Sequence, residues 1–557
     1  MSEPAPGHLP GEQADGWDPL HKPGRLVRHW TRDNVGEAAP GVLTPLSWTM
    51  WEPVGETALR RVAYTVGAFT REEATAAPPD GDRVCRVFYG RLAQSVESFA
   101  MFGDRMPGTS GREMAQGLLG EVPEDIEFRA TKRRYPVIAL RLPYTFAISG
   151  RRIRTLARST DAWWREQIAR VGALDESEAR ALFVSATRDF ADVVVVHSIG
   201  LFSSVQPLYL ALTGLVERTA TGDVALLSGS GGAEMAIVGD IWKASRRRIG
   251  IEEVIANHGF HGPLEGELSS RVWREDPEPL RRLIEEYAAR DDSADPFARA
   301  AVRRERAEQA HRALLAAVPR TQRLPAIALL RLAKARIPLR GVGKRSFLQV
   351  LDVARASARR LGDLLAADAR LEDPEDVFYL TTNELTGALP DDVQELVRRR
   401  RQRREEYLAL DIPGSWTGTP EPIDRAADAT PGREDGTPVV TGVGVSAGVV
   451  EGTVRVVTDP SFAEVEPDEI LVAPLTDPSW ASIMFVSAAL VVDIGGPMSH
   501  AAVVARELGL PCVVNTRSGT RELRTGDRVR VDGSAGTVEV LERSVGSRRV
   551  ACVYVDP

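Results

Sequence analysis

Cysteine and histidine are scarce in this chain, at three and eight residues in 557. Cys85, Cys512 and Cys552 are too few and too scattered for a disulfide framework or a metal cluster. The sequence therefore predicts a reducing, cytoplasmic setting and no metal site. Net basic charge is also lacking. Lys and Arg number 70 against 78 Asp and Glu, a balance of -8, which gives no footing for a nucleic-acid partner. The densest basic run, RRRRQRR at 398–404, lies between DDVQELV and EEYLAL and reads as a solvated helix bearing both signs. No apolar run reaches the roughly 18 to 20 residues of a membrane span, DVVVVHSIGLF being the nearest, so no membrane partner is expected. The opening MSEPAPGHLPGEQADGWDPL has neither the basic start nor the apolar stretch of a signal peptide, and residues 1–30 read as a disordered leader.

The remainder is ordinary globular composition, 43% hydrophobic and 27% charged, at a length that calls for several domains. Residues 31–410 carry helical periodicity. In KRSFLQVLDVARASARRLGDLLAA, Phe347, Val350, Leu351 and Ala354 recur at one-face spacing. Residues 411–440, rich in Pro, Gly, Thr and Asp without an apolar period, read as a flexible linker. From 441 to 545 the pattern changes to short strands, GTVRVV, EILVAPL, ALVVDIGG, PCVVN and RVRVDGSAGTVEVLE, the last turning at DGSAG. One helix is expected there, Ala501 to Leu508, stopped by Gly509 and Pro511. Residues 546–557 are left as a tail. The fold class is thus multidomain: a large, mainly α domain followed by a compact α/β domain.

The feature that points to chemistry is DIGGPMSHAAVVARELGLP at 493–511. A helix N-terminus leaves N–H groups unpaired and carries partial positive charge, so it holds phosphate. Gly495 and Gly496 let the main chain approach an anion, Ser499 adds a hydroxyl, and His500 places a nitrogen nucleophile at that entrance. A histidine that only caps the helix is the competing reading. Thr476, Asp477 and Ser479, after an apolar strand, either frame the site or form a plain strand-end turn.

Together with GVGVSAGVVEGTVRVV (442–457) and ILVAPLTDPSW (470–480), this stretch resembles the swivelling phosphohistidine domain of the phosphoenolpyruvate-utilising enzymes, which include phosphoenolpyruvate synthase, pyruvate phosphate dikinase and rifampicin phosphotransferase. The resemblance implies that His500 accepts a phosphoryl group at one domain and delivers it at another, with Gly495, Gly496, Ser499 and Arg506 counted among the phosphate-binding set. Arg506 lies about 240° round the helix from His500, which favours packing or docking over clamping the same phosphate. Met498 is similar to the rifampicin phosphotransferase variant of the motif, and Asn515 stands where a glycine is common.

In the helical region, TRDNVGEAAPGVLTPLSWTMWEPV (31–54), GFHGPLEGELSSRVWREDP (259–277) and LEDPEDVFYLTTNEL (371–385) resemble the substrate-binding domain of rifampicin phosphotransferase. Relatives read Gly-His-Arg-Gly-Pro-Gly-Glu where this chain has Gly259 to Glu265, so the histidine has moved one place, to His261. His261, Glu265 and Glu267 are candidate acceptor contacts, or stabilise a loop. In IPLRGVGKRSF, Arg340, Lys344 and Arg345 either bind an anion or face solvent. His197 is either a core histidine or a contact to substrate. LSGSGGAE at 227–234 lacks the ending of a P-loop and reads as a helix connection.

The ATP-grasp domain of those families finds no counterpart here. The resemblance then implies no cofactor on this chain, with ATP and Mg²⁺ at an ATP-grasp protein acting in trans and a small organic acceptor in the helical domain. Two alternatives stand beside this phosphotransferase reading: a phosphorylation-driven condensation or dehydration in specialised metabolism, and a non-catalytic binding or regulatory module.

Overall fold

A computed structural model describes residues 18–22, 24, 27–32, 35–75, 83–119, 122–219, 232–292, 295–424, 439–458, 465–466, 469–476, 480–496 and 499–544. A mainly helical region is followed by an α/β domain, as the periodicities require. Contacts divide the chain into two units: Met1–Ser203 with Leu264–Ser270 and Gly343–Ala429, and Ser204–Pro263 with Arg271–Val342 and Thr430–Pro557. The α/β domain therefore shares its unit with helices from 204–342.

The first unit is built on long helices, Pro45–Val66, Tyr135–Arg170, Glu176–Gly200 and the part of Leu339–Ala367 from Gly343 onward. Their ends obey local chemistry. The Thr44 side chain caps Pro45–Val66 by accepting from the Ser47 N–H, and Gly67 closes it at φ 96°. Asp175 and Glu178 form a reciprocal capping box on Glu176–Gly200. Phe347, Val350, Leu351 and Ala354 are all buried, as their spacing predicts. One close approach fixes a glycine: a Cβ on Gly343 would stand 2.3 Å from Nδ1 of His197. Gly343→Ala is expected to cost about 1 to 3 kcal/mol, read from the midpoint of urea unfolding, because helix and ring must separate.

A small antiparallel sheet completes this unit. Its strands, in the order β2-β3-β1-β5, are β1 (His29–Thr31), β2 (Cys85–Phe88), β3 (Arg91–Ser95) and β5 (Ser415–Thr417); β4 (Leu410–Asp411) pairs separately with β6 (Ile423–Asp424). This revises two sequence expectations. Residues 411–424 are not linker: Ile412 is buried with Trp30 and Phe88, and the Trp416 and Phe88 ring centroids lie 5.2 Å apart. Two apolar side chains anchor a stretch that is otherwise rich in turn formers. Nor is the end of the leader loose, since Leu20 is 1% exposed and its carbonyl accepts from Gly90 N–H at 2.7 Å. Residues 1–17, 425–438 and 545–557 lie outside the described residues, as do 220–231 of the glycine-rich stretch.

The basic run lies on helix Val393–Ala409 and does carry exposed charges, but Arg400 is buried and donates to both Glu384 oxygens and to the Tyr379 carbonyl. The apolar run around His197 is part of a continuous helical stretch, Glu176–Thr219, that is long and apolar enough to cross a membrane by length and composition. Half of its most apolar window is buried inside the protein, and Val193, Val195, Val205 and Leu212 are among the buried residues of the stretch.

In the second unit an eight-stranded sheet runs β7-β14-β13-β9-β10-β11-β12-β8. The ranges are β7 (Val439–Thr441), β8 (Val443–Ser446), β9 (Val449–Val456), β10 (Ile470–Ala473), β11 (Ala489–Val492), β12 (Cys512–Val514), β13 (Arg528–Asp532) and β14 (Thr537–Glu542). Strands β9 to β12 are mutually parallel and the flanks antiparallel. ILVA, ALVV and CVV are buried throughout, as strands covered on both faces must be. Alternation divides them: Leu471, Ala473, Leu490, Val492, Cys512 and Val514 pack on helix His500–Leu508, while Ile470, Val472, Ala489, Val491 and Val513 pack on Leu523, Val529 and Val538. The expected turn at DGSAG joins β13 to β14, with Gly536 at φ 73°.

Candidate functional site

Parallel strands place their following loops on one edge of the sheet, where open α/β sheets bind ligands. Here the loops after β10, β11 and β12 start at Pro474, Asp493 and Asn515. The loop after β11 ends in Ser499, whose side chain accepts from the Ala502 N–H at 3.2 Å and caps helix His500–Leu508. That helix ends as expected, on Gly509 at φ 72°. His500 is its first residue, 4% exposed, with Nδ1 3.2 Å from the Thr476 hydroxyl at the end of the loop segment after β10.

Backbone shape explains the glycines. Gly495 takes φ 154°, a region that side chains disfavour, and a Cβ on Gly496 would meet nothing within 4 Å. The main chain beside His500 is thus left uncovered at Gly496. Asp493 fixes the start of the loop: its carboxylate accepts from the Thr516 hydroxyl at 2.7 Å, from the Thr520 N–H at 3.2 Å and from the Thr520 hydroxyl. Burial pushes the Asp493 carboxyl up from its ordinary value, against the lowering pull of the Thr520 and Thr516 hydrogen bonds. The third loop docks here too, through Thr516 N–H to Val492 carbonyl and Arg517 N–H to Asp493 carbonyl. Asn515 stands at φ 56°, so a position where a glycine is common is filled by one of the few side chains that tolerate left-handed backbone. Met498, Asp477 and Ser479 lie outside the described residues.

Arg506 sits away from this loop. It donates through Nε to the Val445 carbonyl at 2.6 Å and through its terminal nitrogen to the Tyr209 hydroxyl at 3.2 Å. That is the packing role its helical phase favours.

The helical candidates divide between the units. His197, Glu265, Glu267 and Lys344 belong to the first, and His261 and Arg340 to the second. Lys344 Nζ lies 3.3 Å from the buried Glu265 carboxylate. Glu267, 1% exposed, accepts from the Thr44 N–H and hydroxyl, the Ser47 hydroxyl and the Ser269 N–H at 2.7 to 2.9 Å. Its carboxylate is thus joined to the cap of Pro45–Val66. His197 faces Phe347 with ring centroids 5.6 Å apart. His261 is buried beside Phe260 and Trp273, its N–H bonded to the His258 carbonyl. Arg340 is half-buried at the start of Leu339–Ala367, and Arg345 pairs with Asp161 at 2.9 Å.

Sequence reading missed Arg355, 1% exposed, which donates to the carbonyls of Glu265, Glu267 and Leu268 and so holds the segment bearing both acidic candidates. An arginine inside a buried helical stripe was the available signal. Asp493 had a similar one, a carboxylate directly after an apolar strand. Among the described residues no group of three or more His, Cys, Asp or Glu side chains is arranged to hold a metal ion.

Comparison with known proteins bears on the same two regions. Residues 465–536 match the model of the PEP-utilising enzyme mobile domain, and residues 233–341 that of the rifampicin phosphotransferase fourth domain. An uncharacterised protein of Mycobacterium tuberculosis is 35% identical over 286 residues, 51% of this chain and 30% of its own. The uncharacterised phosphotransferase YvkC of Bacillus subtilis is 36% identical over 34% of this chain and 24% of its own. A rifampicin phosphotransferase of Streptomyces sviceus is 41% identical over 32% of this chain and 20% of its own. The chain therefore spans less than a third of the length of these relatives.

Proposed function

We propose that this chain, similar over those stretches to phosphotransferases, carries a phosphoryl group on His500 from an ATP-grasp protein acting in trans to a small organic acceptor held by the helical region. The observation that supports it most is His500 itself: a histidine at a capped helix entrance, fixed through Nδ1, beside two glycines, within the stretch that matches a mobile domain. In this reading Nε2 of His500 is the nucleophile. The Nε2 lone pair attacks the donor phosphorus, an N–P bond forms, and the P–O bond to the donor's leaving group breaks. An acceptor oxygen then attacks the same phosphorus, its O–P bond replaces the N–P bond, and the acceptor's hydroxyl proton passes to a base.

Catalysis in this reading is positioning and charge stabilisation. Gly495, Gly496, Ser499 and the helix entrance supply main-chain and hydroxyl donors to the phosphoryl oxygens. Glu265 with Lys344 is the proposed acceptor contact. ATP and Mg²⁺ belong to the partner, and the setting is the cytoplasm. The test incubates the full chain with phosphoryl-labelled ATP, with and without an ATP-grasp protein encoded beside it. The expected result is an acid-labile label on the peptide containing His500, dependent on that protein; no label under either condition sinks the reading.

A further inference from the structure

Between Phe128 and Thr160 the sequence holds nine Lys and Arg and no Asp or Glu, in a chain whose net charge is -8. Most of that stretch belongs to helix Tyr135–Arg170 of the first unit. Ile138, Thr145, Ser149, Ile153 and Thr160 form its inward arc, and all are buried. At about 100° per residue the opposite arc carries Pro136, Leu140, Pro143 and Tyr144, followed on the same line by Arg151 and Arg158. All six are exposed, Leu140 at 80% and Tyr144 at 64%. Single exposed apolar side chains are ordinary, but Leu140 and Tyr144 are four residues apart and so adjoin on the helix surface. Exposed basic groups bracket them, Lys132 and Arg133 before and Arg151, Arg152 and Arg158 after. Among the described residues none of these five is paired with a carboxylate. Arg134 and Arg141, by contrast, turn inward and donate to the carbonyls of Gly67, Phe69 and Tyr64.

We infer that this face of Tyr135–Arg170 is a docking surface for an anionic lipid bilayer, by which the chain attaches peripherally. Leu140 enters the headgroup boundary, Tyr144 keeps its hydroxyl at the headgroup level, and the arginines meet lipid phosphates. Charge decides the sign of the partner. A long basic stretch uninterrupted by carboxylates attracts an anionic surface, for which a chain of net charge -8 has no general attraction. Shape decides its class. From Pro136 to Arg158 the residues stand in one line about 33 Å long on the outer side of a single helix. A fluid bilayer accepts such a ridge without a matching groove, and a protein partner does not. One apolar and one electrostatic signal together are what reversible membrane attachment requires. A surface contact needs no spanning helix, so this departs from the expectation of no membrane partner, which rests on the length of apolar runs. Neither His500 nor a phosphoryl carrier enters into it.

The test is co-sedimentation of the full chain with vesicles, either phosphatidylcholine alone or equal parts phosphatidylcholine and phosphatidylglycerol, at physiological salt. The wild type is expected to partition at least about tenfold more onto the mixed vesicles, with the difference shrinking at high salt. Arg151→Gln with Arg158→Gln is expected to weaken that partition on the order of twentyfold, and Leu140→Ala with Tyr144→Ala about tenfold. All four positions are exposed, so circular dichroism and the thermal midpoint should match the wild type. Arg398→Gln with Arg399→Gln, at exposed positions of helix Val393–Ala409, is the charge control and should leave partition within about twofold. No partition of the wild type onto mixed vesicles overturns the inference. So does equal partition onto both vesicle types, partition that the variants of Tyr135–Arg170 leave unchanged, or a loss in the charge control as large as in Arg151→Gln with Arg158→Gln. If the wild type ignores both vesicles but is retained by immobilised polyglutamate through Arg151 and Arg158, the face is one for an acidic protein and the membrane proposal falls.

Discussion

His500→Ala should take up no acid-labile phosphoryl label, a loss on the order of 10³-fold or more relative to the wild type, because the nucleophile itself is removed. The expectation is sharpened by the neighbours. Ser499 and Thr476 are hydroxyls close to the same entrance, and both are already engaged in holding it together. Ser499 accepts from the Ala502 N–H, and the Thr476 hydroxyl meets His500 Nδ1. A phosphoryl group on either would be an ester, stable to acid. Label that persists in His500→Ala but becomes acid-stable would assign the nucleophile to a hydroxyl. Label that persists and stays acid-labile would place it on another histidine. The fold should survive the substitution, since the sheet side of the helix is filled by Ala501, Ala502, Val504 and Ala505, and His500 is not among them. Circular dichroism and the hydrogen exchange of β10 to β12 check that point.

Much of the site was legible because it is local. The N-cap, the histidine and the stop at Gly509 occupy successive positions of one loop and one helix, so their geometry follows from their order. The same holds for the alternating strands and for the stripe through Phe347 and Ala354. What could not be read is what depends on distant partners. Ile412 and Trp416 sit among turn formers, and only Trp30 and Phe88, hundreds of residues earlier in the chain, turn that stretch into a strand. Arg400 looks like one charge in a basic run until Glu384 receives it. Tyr209 carries no motif at all; Arg506 gives it a role. Nor does spacing tell that His261 and Glu265, four residues apart, belong to different units.

Glu267→Ala is expected to lower the stability of the chain by about 3 to 5 kcal/mol, the range for removing one side of a fully buried charged hydrogen-bond set. Four donors lose their acceptor at once: the Thr44 N–H and hydroxyl, the Ser47 hydroxyl and the Ser269 N–H. Thr44 is also the cap of Pro45–Val66, so the loss reaches a 22-residue helix whose Trp48, Met50 and Val62 are core. The thermal midpoint should fall by on the order of 10 °C, followed by circular dichroism. Glu267→Gln retains an acceptor oxygen but introduces an amide among donors, and should cost roughly 1 to 3 kcal/mol. Transfer measurements separate this from a role in the reaction. If Glu267 acts as a clamp, transfer by Glu267→Gln follows the folded fraction and returns at lower temperature. If it contacts the acceptor, Glu267→Gln keeps the wild-type midpoint and loses transfer at every temperature. The first outcome is the one that four short hydrogen bonds to buried groups predict, and it would leave Glu265, paired with Lys344, as the acidic side chain to test against the acceptor.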